Sequence, residues 1–341
     1  MVASREHADA RLEAARAWAA RALAGEAAGV RLSILAGDAS FRRYFRVLAD
    51  DGRTWVLMDA PPDKEDVGPF LAVREWLADA GVRAPGLIAA DAGAGFLLLE
   101  DFGDATWAAY LAAGGDARPL VDDAFAQLAR MQASRPSFDL PVFGVSRMRV
   151  ECDLYLDWYL PKVAGRAPDD AERRGFHAAL APVLAALAAL PRAPVHLDFH
   201  SRNLMLPPDG LPLGVIDFQD AVMGPVTYDA ASLLYDCYQD YPEAARRCWS
   251  EAFFAGLPRD ARAAFGDADG WHRALRQTAL QRHIKAIGIF ARLAHRDGKR
   301  RFLDEIPLTR KHLLEELDWL AEAGLAVGED AVRLLNLPPA G

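Results

Sequence analysis

Apolar and polar residues alternate in short runs through the first hundred residues, which is the pattern of strands with one buried face. Three runs separated by Gly-Asp-Ala-Ser and Asp-Asp-Gly predict an antiparallel meander: RLSILAG, FRRYFRVLA and RTWVLMDAP. GLIAAD and GFLLLE flank a further turn and predict a second hairpin. A helix is predicted between these two groups, in KEDVGPFLAVREWLADAG, and another at about residues 5–28.

Beyond EDFGDAT, the apolar period becomes that of helices. The first such helix lies in LVDDAFAQLARMQA, and others are predicted at about 151–163, 170–190, 228–256, 258–297 and 308–325. The pattern therefore predicts an α+β chain with a sheet-rich lobe, residues 1–102, followed by a mostly helical lobe, residues 103–341.

Composition narrows the class of protein. The 341 residues include 39 Lys and Arg against 48 Asp and Glu, a net charge of −9, which makes nucleic acid or an anionic membrane an unexpected partner. The longest apolar run, 178–191, is too short to span a bilayer. Three cysteines without a CxxC pair argue against a disulfide framework or a structural zinc site. We expect a soluble, cytoplasmic protein, with a monomer as the default state.

The stretch VHLDFHSRNLML, residues 195–206, places polar residues inside an apolar run, where burial without partners would be costly. A hairpin is predicted around Asp209-Gly210, with Asn203 six residues before the turn and Asp217 seven residues after it. Folding it would bring Asn203 and Asp217 side by side, with Asp198 on the preceding loop. Two carboxylates and an amide oxygen are ligands that suit Mg²⁺.

Other chemistries fit this stretch less well. His196 and His200 have the spacing of a helical zinc pair, but Pro194 and the strand-like context disfavour a helix, and HExxH is absent. A dyad that uses His196 lacks a serine in a GxSxG elbow. A buried hairpin whose polar residues have no chemical role is the alternative left open.

The motif HLDFHSRN followed by IDFQD resembles the HxDxxxxN and IDF/IDW signatures of the aminoglycoside phosphotransferase family, which are small-molecule kinases with a bilobal, protein-kinase-like fold. The resemblance implies that ATP is the donor, that Asp198 is the catalytic base, and that Asn203 and Asp217 hold Mg²⁺. It also implies that His196 supports the loop. Asp229, which follows the metal motif, is expected to bond back to this loop.

EDFGD, residues 100–104, contains the Asp-Phe-Gly of protein kinases but precedes the catalytic loop, so it cannot supply the metal ligand. It fits the hinge between the lobes, where backbone groups near Glu100 and Phe102 would bind adenine.

GDASFRRYFRV occupies the place of the glycine-rich loop, where Gly37 would allow close backbone approach and Ser40 would donate to a phosphate. The third strand has Met58 where such kinases carry a phosphate-binding lysine. We hypothesise that Arg43 or Arg46 replaces this lysine; they lie on opposite strand faces by parity, so only one can reach the cleft. The alternative is that both are exposed strand arginines.

Further segments narrow the resemblance: VLMDAPP, DFQDAVMGPVTYDAASLLYD and LQRHIKAIGIFARLAHRDGK are similar to those of bacterial anomeric kinases that recycle N-acetylmuramate and N-acetylglucosamine from peptidoglycan. That group shares the Met-for-Lys change. The resemblance implies transfer of the ATP γ-phosphate to the C1 hydroxyl of the amino sugar, giving the α-1-phosphate.

Candidates for the sugar pocket lie on two helices. On the first, Trp158 could stack on a sugar face while Glu151 and Asp153 accept hydroxyl hydrogens. On the second, Arg282 and Lys285 could meet the lactyl carboxylate of N-acetylmuramate. Each has an alternative role, either in the core or in salt bridges.

Two other functions stay open from the sequence. One is a related kinase for an aminoglycoside, choline, homoserine or methylthioribose; the basic stretch QRHIKAIGIFARLAHRDGKR disfavours the cationic aminoglycosides. The other is a catalytically silent nucleotide-binding regulator, because Met58 replaces the lysine. The intact set of Asp198, Asn203 and Asp217 argues against a silent protein.

Overall fold

The fold is described from a computed structural model that covers residues 2–24, 29–37 and 41–340. Its strands are β1 (Val30–Gly37), β2 (Arg43–Ala49), β3 (Thr54–Asp59), β4 (Leu87–Asp91), β5 (Phe96–Glu100), β6 (Arg192–Val195), β7 (Leu204–Met205), β8 (Gly214–Val215) and β9 (Val222–Pro225). Its helices are α1 (Val2–Ala22), α2 (Gly68–Asp79), α3 (Trp107–Ala112), α4 (Ala117–Ala133), α5 (Val145–Leu154), α6 (Leu160–Lys162), α7 (Asp170–Ala189), α8 (Tyr228–Leu234), α9 (Glu243–Gly256), α10 (Arg259–Ala263), α11 (Ala268–His295), α12 (Ile306–Glu322) and α13 (Glu329–Leu335). A π-helical turn (Tyr155–Tyr159) joins α5 to α6, and a 3₁₀ turn (Arg300–Glu305) precedes α12.

The first lobe is an antiparallel sheet with the strand order β1-β2-β3-β5-β4. One face packs on α1 and the turn after it, where Ala15 and Ala19 of the helix and Leu23 of the turn meet sheet residues such as Leu57 and Leu98. The other face carries Met58 and joins an apolar cluster that includes α2 and part of the helical lobe. This face therefore borders the space between the lobes.

The alternating pattern predicted this lobe correctly. Strand-strand-strand-helix-strand-strand is the observed order, and the fold class, an antiparallel sheet followed by a helical lobe, is confirmed. The predicted helix at 5–28 is α1, Val2–Ala22, while residues 25–28 lie outside the described residues. The lobe boundary predicted at residue 102 falls between the end of β5 at Glu100 and the start of α3 at Trp107, and the division into 1–102 and 103–341 stays a prediction.

The helical lobe differs from the prediction at its breaks. The helix predicted at 228–256 is two helices, because α8 ends at Leu234 and α9 begins only after Pro242, which has no N–H to continue a helix. Residues 258–297 are likewise split, and Gly266 adopts a positive φ of 76° between α10 and α11. The short helices α3 and α13 were not predicted.

Helix α11 is the centre of the second lobe. It packs against α5, the π-helical turn, α8 and α12. At its crossing with α5, Gly288 lies against the backbone of Leu154 and Tyr155. A close crossing of this kind requires glycine, because a side chain would meet main-chain atoms. No helix among the described residues has the length and apolar character needed to cross a bilayer.

Candidate active site

The hairpin β7–β8 brings two of the predicted site residues together. Leu204 pairs with Val215, and the Ile216 N–H donates to the Asn203 carbonyl oxygen at 3.1 Å. Asn203 and Asp217 consequently lie side by side at the open end of the hairpin, with Asn203 Nδ2 3.4 Å from Asp217 Oδ2.

The loop before β7 adds Asp198 to this pair. Asn203 Nδ2 donates to the Asp198 carbonyl oxygen at 3.0 Å, and the His200 N–H donates to the same oxygen at 3.0 Å. Two residues beside these contacts hold positive φ values without being glycine: Leu197 at 78° and Asp217 at 64°. Such backbone conformations cost free energy and persist where the surrounding bonds fix them. The structure thus places Asp198 and Asp217 on either side of Asn203, which contacts both.

Buried polar groups hydrogen-bond to the loop that carries Asp198. His196 is 1% exposed, its Nε2–H donates to the Ile216 carbonyl oxygen at 3.0 Å, and its Nδ1 accepts from the Asp198 N–H at 3.3 Å. The Asp229 carboxylate accepts from the His196 and Leu197 N–H groups at 2.7 and 3.1 Å, as expected from the sequence. Burial raises the pKa of Asp229 to about 6, against the opposing effect of His196 and these donors.

A second buried carboxylate holds the other side of the loop. Asp236 accepts from the Ser201 N–H at 2.8 Å and from the Tyr238 N–H at 2.9 Å. It lies in the break between α8 and α9. The catalytic loop is therefore fixed by main-chain hydrogen bonds to two acids that are not themselves in the cleft.

Asp198 is a partly exposed carboxylate with a cation beside it. Its side chain is 42% exposed, and Lys285 Nζ, from α11, lies 3.7 Å from Asp198 Oδ1. Burial acts to raise the pKa of Asp198, but the combined positive charges of Lys285, His200, His196 and Arg282 outweigh it and lower this pKa to about 2. The carboxylate is ionised at neutral pH and can accept a proton. The same attraction, together with that of Glu151, raises the pKa of Lys285 despite its burial.

The residues present fit a hard divalent cation. Because Asn203 Nδ2 is used within the loop, Asn203 Oδ1 is left without a partner among the described residues. Gln219 Nε2 donates to Asp217 Oδ1 at 2.9 Å and orients that carboxylate. The described residues contain no group of three or more His, Cys, Asp or Glu side chains that could enclose a metal. An ion at Asn203 and Asp217 would need further ligands from water or a phosphate, which is typical of Mg²⁺.

The face of the sheet toward the cleft carries Met58 and Arg46. Met58 is fully buried and pairs with Tyr44, and Arg46 pairs with Val56 on the same face. Arg46 does not extend toward the metal site: its guanidinium binds Asp101 at 2.6 Å, and also Asp104, in the segment that links the lobes.

Arg43 lies on the opposite face, under α1. It forms an ion pair with the fully buried Asp59, whose other oxygen accepts from Arg11 of α1 at 2.7 Å. This corrects the prediction that Arg43 is available to a nucleotide in the cleft, because its charge is used within the sheet lobe. The parity argument was right that only one of the two arginines faces the cleft.

The linker has features of an adenine-binding hinge. The Glu100 carboxylate is used locally, since it accepts from the Gly86 N–H at 3.0 Å and from Arg83 at 3.2 Å. Phe102 is 4% exposed and packs on Gly214, and its backbone N–H makes no hydrogen bond with the residues that the structure describes. Gly37 ends β1 opposite Arg43, and Ser40 lies outside the described residues.

The two acidic candidates on α5 face different ways. Glu151 is 12% exposed and accepts from Gln281 on α11 at 3.2 Å, on the side of Lys285. Asp153 pairs with His177 of α7 at 2.6 Å instead. Residues two apart on a helix point about 200° apart. The prediction that Asp153 lies with Glu151 in the sugar pocket is therefore wrong.

Two more acceptor candidates are held by the packing of the helical lobe. Trp158 is partly buried and packs against the apolar cluster of the helical lobe. Arg282 is 5% exposed, with Nη1 3.5 Å from the Ala231 carbonyl oxygen and its guanidinium over the Tyr228 ring. Arg282 is thus packed beneath α8 and is not open to a ligand, which corrects its predicted contact with an acceptor carboxylate.

One residue beside the catalytic loop was left unassigned by the sequence. Arg202 has a guanidinium that lies 3.8 Å from the centroid of the Tyr238 ring and pairs with Glu305, and its side chain is 40% exposed. Its place between Asp198 and Asn203 in the motif was the available signal. Nothing in the sequence indicates the contacts with Tyr238 and Glu305, since both come from distant segments.

An ionised carboxylate next to oxygen ligands, under a sheet lobe joined by an open hinge, is suited to phosphoryl transfer. Comparison with known proteins agrees: residues 31–275 match the sequence model described as the phosphotransferase enzyme family. The chain belongs to this family. It is a phosphotransferase with a hydroxyl acceptor, and a kinase of this family uses ATP.

Curated relatives are similar over most of their length. The N-acetylmuramate/N-acetylglucosamine kinase of Pseudomonas putida is 37% identical over 313 residues, which cover 89% of this chain and 90% of the relative. The kinase of the same name from Neisseria meningitidis serogroup B is 39% identical, covering 81% of this chain and 82% of the relative.

Solved structures share the fold at low identity. A choline/ethanolamine kinase family protein from Mesorhizobium loti superposes with a TM-score of 0.61 at 15% identity, covering 95% of this chain and 99% of the other. The ADP-bound aminoglycoside phosphotransferase APH(2'')-Ib gives a TM-score of 0.55 at 15% identity, covering 84% and 94%. At this identity the likeness concerns the fold alone, and it confirms the kinase-like architecture.

Proposed function

We propose that the chain is an ATP-dependent kinase that phosphorylates the anomeric C1 hydroxyl of N-acetylmuramate and N-acetylglucosamine, in the recycling of cell-wall sugars. The observation that carries the proposal is the juxtaposition of Asp198, Asn203 and Asp217, in a chain 37–39% identical to curated kinases of that name. Because the reaction consumes ATP, we infer that it takes place in the cytoplasm.

Asp198 would act as the base. Its carboxylate is ionised and partly exposed, so it can accept the proton of a sugar hydroxyl as the oxygen attacks the γ-phosphorus. An anomeric hydroxyl is more acidic than an ordinary alcohol, so one positioned carboxylate is sufficient. Asn203 and Asp217 would hold Mg²⁺, which, when bound, neutralises charge on the phosphates. The Phe102 N–H would bind the adenine edge.

The acceptor would bind beside the catalytic loop. Glu151 offers a carboxylate to sugar hydroxyls. Arg202, with 40% of its side chain exposed, is the cation that an acidic acceptor would meet there. The cations near Asp198 disfavour a cationic acceptor such as choline or an aminoglycoside.

The test is an assay with purified protein, Mg-ATP and a panel of amino sugars, with choline and an aminoglycoside included. We expect a sugar phosphate that is labile in acid, since anomeric phosphates hydrolyse readily and 6-phosphates do not. The phosphorus–H1 coupling in NMR spectra would identify the α-1-phosphate. A 6-phosphate product, or turnover of choline alone, would contradict the proposal, and tight ATP binding without any turnover would favour a regulator.

A further inference from the structure

Among the described residues, the sheet positions expected to face the phosphates of ATP offer no cation to the cleft. Met58 stands at the lysine position of β3 and is fully buried, while Arg43 and Arg46 are bound by Asp59 and Asp101. ATP carries several negative charges on its phosphates, and the charge on the γ-phosphoryl group is redistributed during transfer. A further positive group near Asp198 would stabilise this charge.

Lys285 is positioned to be this group. It is buried to 87% on α11, and its ammonium lies 3.7 Å from Asp198 Oδ1. The close crossing at Gly288, one turn further along α11, fixes the helix against α5, and the contact between Gln281 and Glu151 fixes it one turn earlier. Because the lysine side chain is already held in place, its positive charge can stabilise the reacting group without the side chain having to be ordered during the reaction.

We propose that Lys285 is a catalytic residue that contacts the phosphoryl group in transfer, and not a ligand of the acceptor's carboxylate. The inference rests on the kinase chemistry proposed above but not on the identity of the sugar. An attacking hydroxyl oxygen within hydrogen-bond reach of Asp198 is also close to Lys285, so the γ-phosphorus that it attacks lies next to the ammonium.

The step balances without a further reactant. The bond between the acceptor oxygen and the γ-phosphorus forms, and the bond from the γ-phosphorus to the β–γ bridging oxygen breaks. The leaving ADP takes that electron pair, and Asp198 takes the hydroxyl proton. Lys285 stays protonated throughout, because its pKa is raised, and its N–H groups donate to an oxygen of the phosphoryl group.

The experiment compares Lys285→Met and Lys285→Arg with the parent on two acceptors, the neutral N-acetylglucosamine and the acidic N-acetylmuramate. We expect Lys285→Met to lower kcat by about 10²- to 10³-fold on both sugars alike, the usual cost of removing a preorganised charge donor. Lys285→Arg should recover part of this loss. Lys162→Met, at an exposed lysine on α6, is the matched control and should keep full activity.

Two outcomes would overturn the proposal. If Lys285→Met keeps kcat on the neutral sugar and raises KM only for the acidic one, Lys285 binds the acceptor. If the variant turns over both sugars normally, the residue is structural. Should Lys285→Met not fold, Lys285→Gln keeps hydrogen-bond donors without the charge and carries the same expectations.

A second readout does not depend on any sugar. Slow hydrolysis of Mg-ATP, with water as the acceptor, should fall in Lys285→Met by a similar factor, while Mg-ADP binding stays within about twofold, because ADP lacks the phosphoryl group that Lys285 contacts. If no sugar is a substrate but ATP hydrolysis falls in this way, the acceptor assignment fails and the role of Lys285 stands. Unchanged hydrolysis would contradict that role.

Discussion

Gly288 of α11 crosses α5 so closely that a Cβ atom on it would lie 2.4 Å from the carbonyl carbon of Leu154. Main-chain atoms cannot move aside to relieve such a contact as the end of a flexible side chain can. The two helices that carry Lys285 and Glu151 are therefore held at a spacing that only glycine permits.

Gly288→Ala should lower the free energy of unfolding by about 1–3 kcal/mol, the usual cost of overpacking, and should lower kcat by moving α11. Thermal unfolding and steady-state kinetics measure both effects. Gly256→Ala is the control, because nothing lies within 4 Å of a Cβ there, at the end of α9. Equal melting temperatures for Gly288→Ala and the parent would show that the crossing tolerates a methyl group.

Asp198→Asn should lower kcat by about 10²- to 10⁴-fold, because the amide cannot accept the hydroxyl proton. Affinity for Mg-ADP, measured by titration, should change little. Asp153→Asn is the matched control, since Asp153 pairs with His177 and should not affect turnover. More than a third of the parent kcat in Asp198→Asn would exclude Asp198 as the base.

Gln219→Ala should raise the Mg²⁺ concentration needed for half-maximal activity by about tenfold. Gln219 Nε2 orients the Asp217 carboxylate at 2.9 Å, and the loss of a hydrogen bond that orients a metal ligand typically weakens metal binding by this factor or more. Activity against Mg²⁺ at saturating ATP measures the change. Asp122→Asn, at an exposed aspartate of α4 that pairs with Arg118, should leave the curve in place, and an unmoved curve for Gln219→Ala would contradict the assignment.

Arg43→Ala should destabilise the sheet lobe by about 1–3 kcal/mol, because the buried Asp59 keeps only its contact with Arg11. The KM for ATP should stay within about twofold, since Arg43 lies on the face under α1. Chemical denaturation and kinetics separate the two effects, with Arg53→Ala, at a half-exposed surface arginine, as the control. A tenfold rise in the KM for ATP without loss of stability would show instead that Arg43 binds the nucleotide.

His272 should make the protein less stable in mild acid. Burial lowers its pKa to about 4, helped by Arg276 and Arg247, while Glu243 of α9 lies 3.7 Å away and the Trp319 ring of α12 covers it. Because the pKa in the unfolded chain is near 6.5, the unfolded state binds more protons between pH 6.5 and 4. Stability is therefore lost as the pH falls through this window.

The contribution of His272 amounts to about 2 kcal/mol between pH 7 and pH 5, from 1.36 kcal/mol for each unit of pKa difference. His272→Gln should flatten the pH dependence of the unfolding free energy by this amount. His295→Gln, at an exposed histidine at the end of α11, should leave it unchanged. The same slope in the parent and in His272→Gln would contradict the prediction.

Local patterns were sufficient for the sheet lobe and for the centre of the site. Alternation and turn residues defined the strands, and counting from Asp209-Gly210 placed Asn203 beside Asp217, because both depend on neighbours in the chain. Parity likewise put Arg43 and Arg46 on opposite faces. Which face meets the cleft could not be predicted, because it depends on where α1 packs.

Contacts between segments that are distant in the chain could not be predicted from the sequence. Asp153 was grouped with Glu151, yet His177 on α7 binds it. The break after α8 contains Asp236, whose carboxylate accepts from the Ser201 N–H, 35 residues earlier in the chain. Lys285 was a candidate ligand of the sugar. Its proximity to Asp198 depends on the packing of α11 against the loop that carries Asp198, which the sequence does not indicate.

The ion pair between Arg46 and Asp101 gives the sheet lobe a second attachment to the linker, in addition to the peptide chain that leaves β5. Asp101 is 97% shielded from water, so ordinary salt concentrations weaken this clasp only slightly. The position of β2, which β3 separates from β5, is therefore coupled to the segment between the lobes by an ion pair as well as by the hydrogen bonds of the sheet.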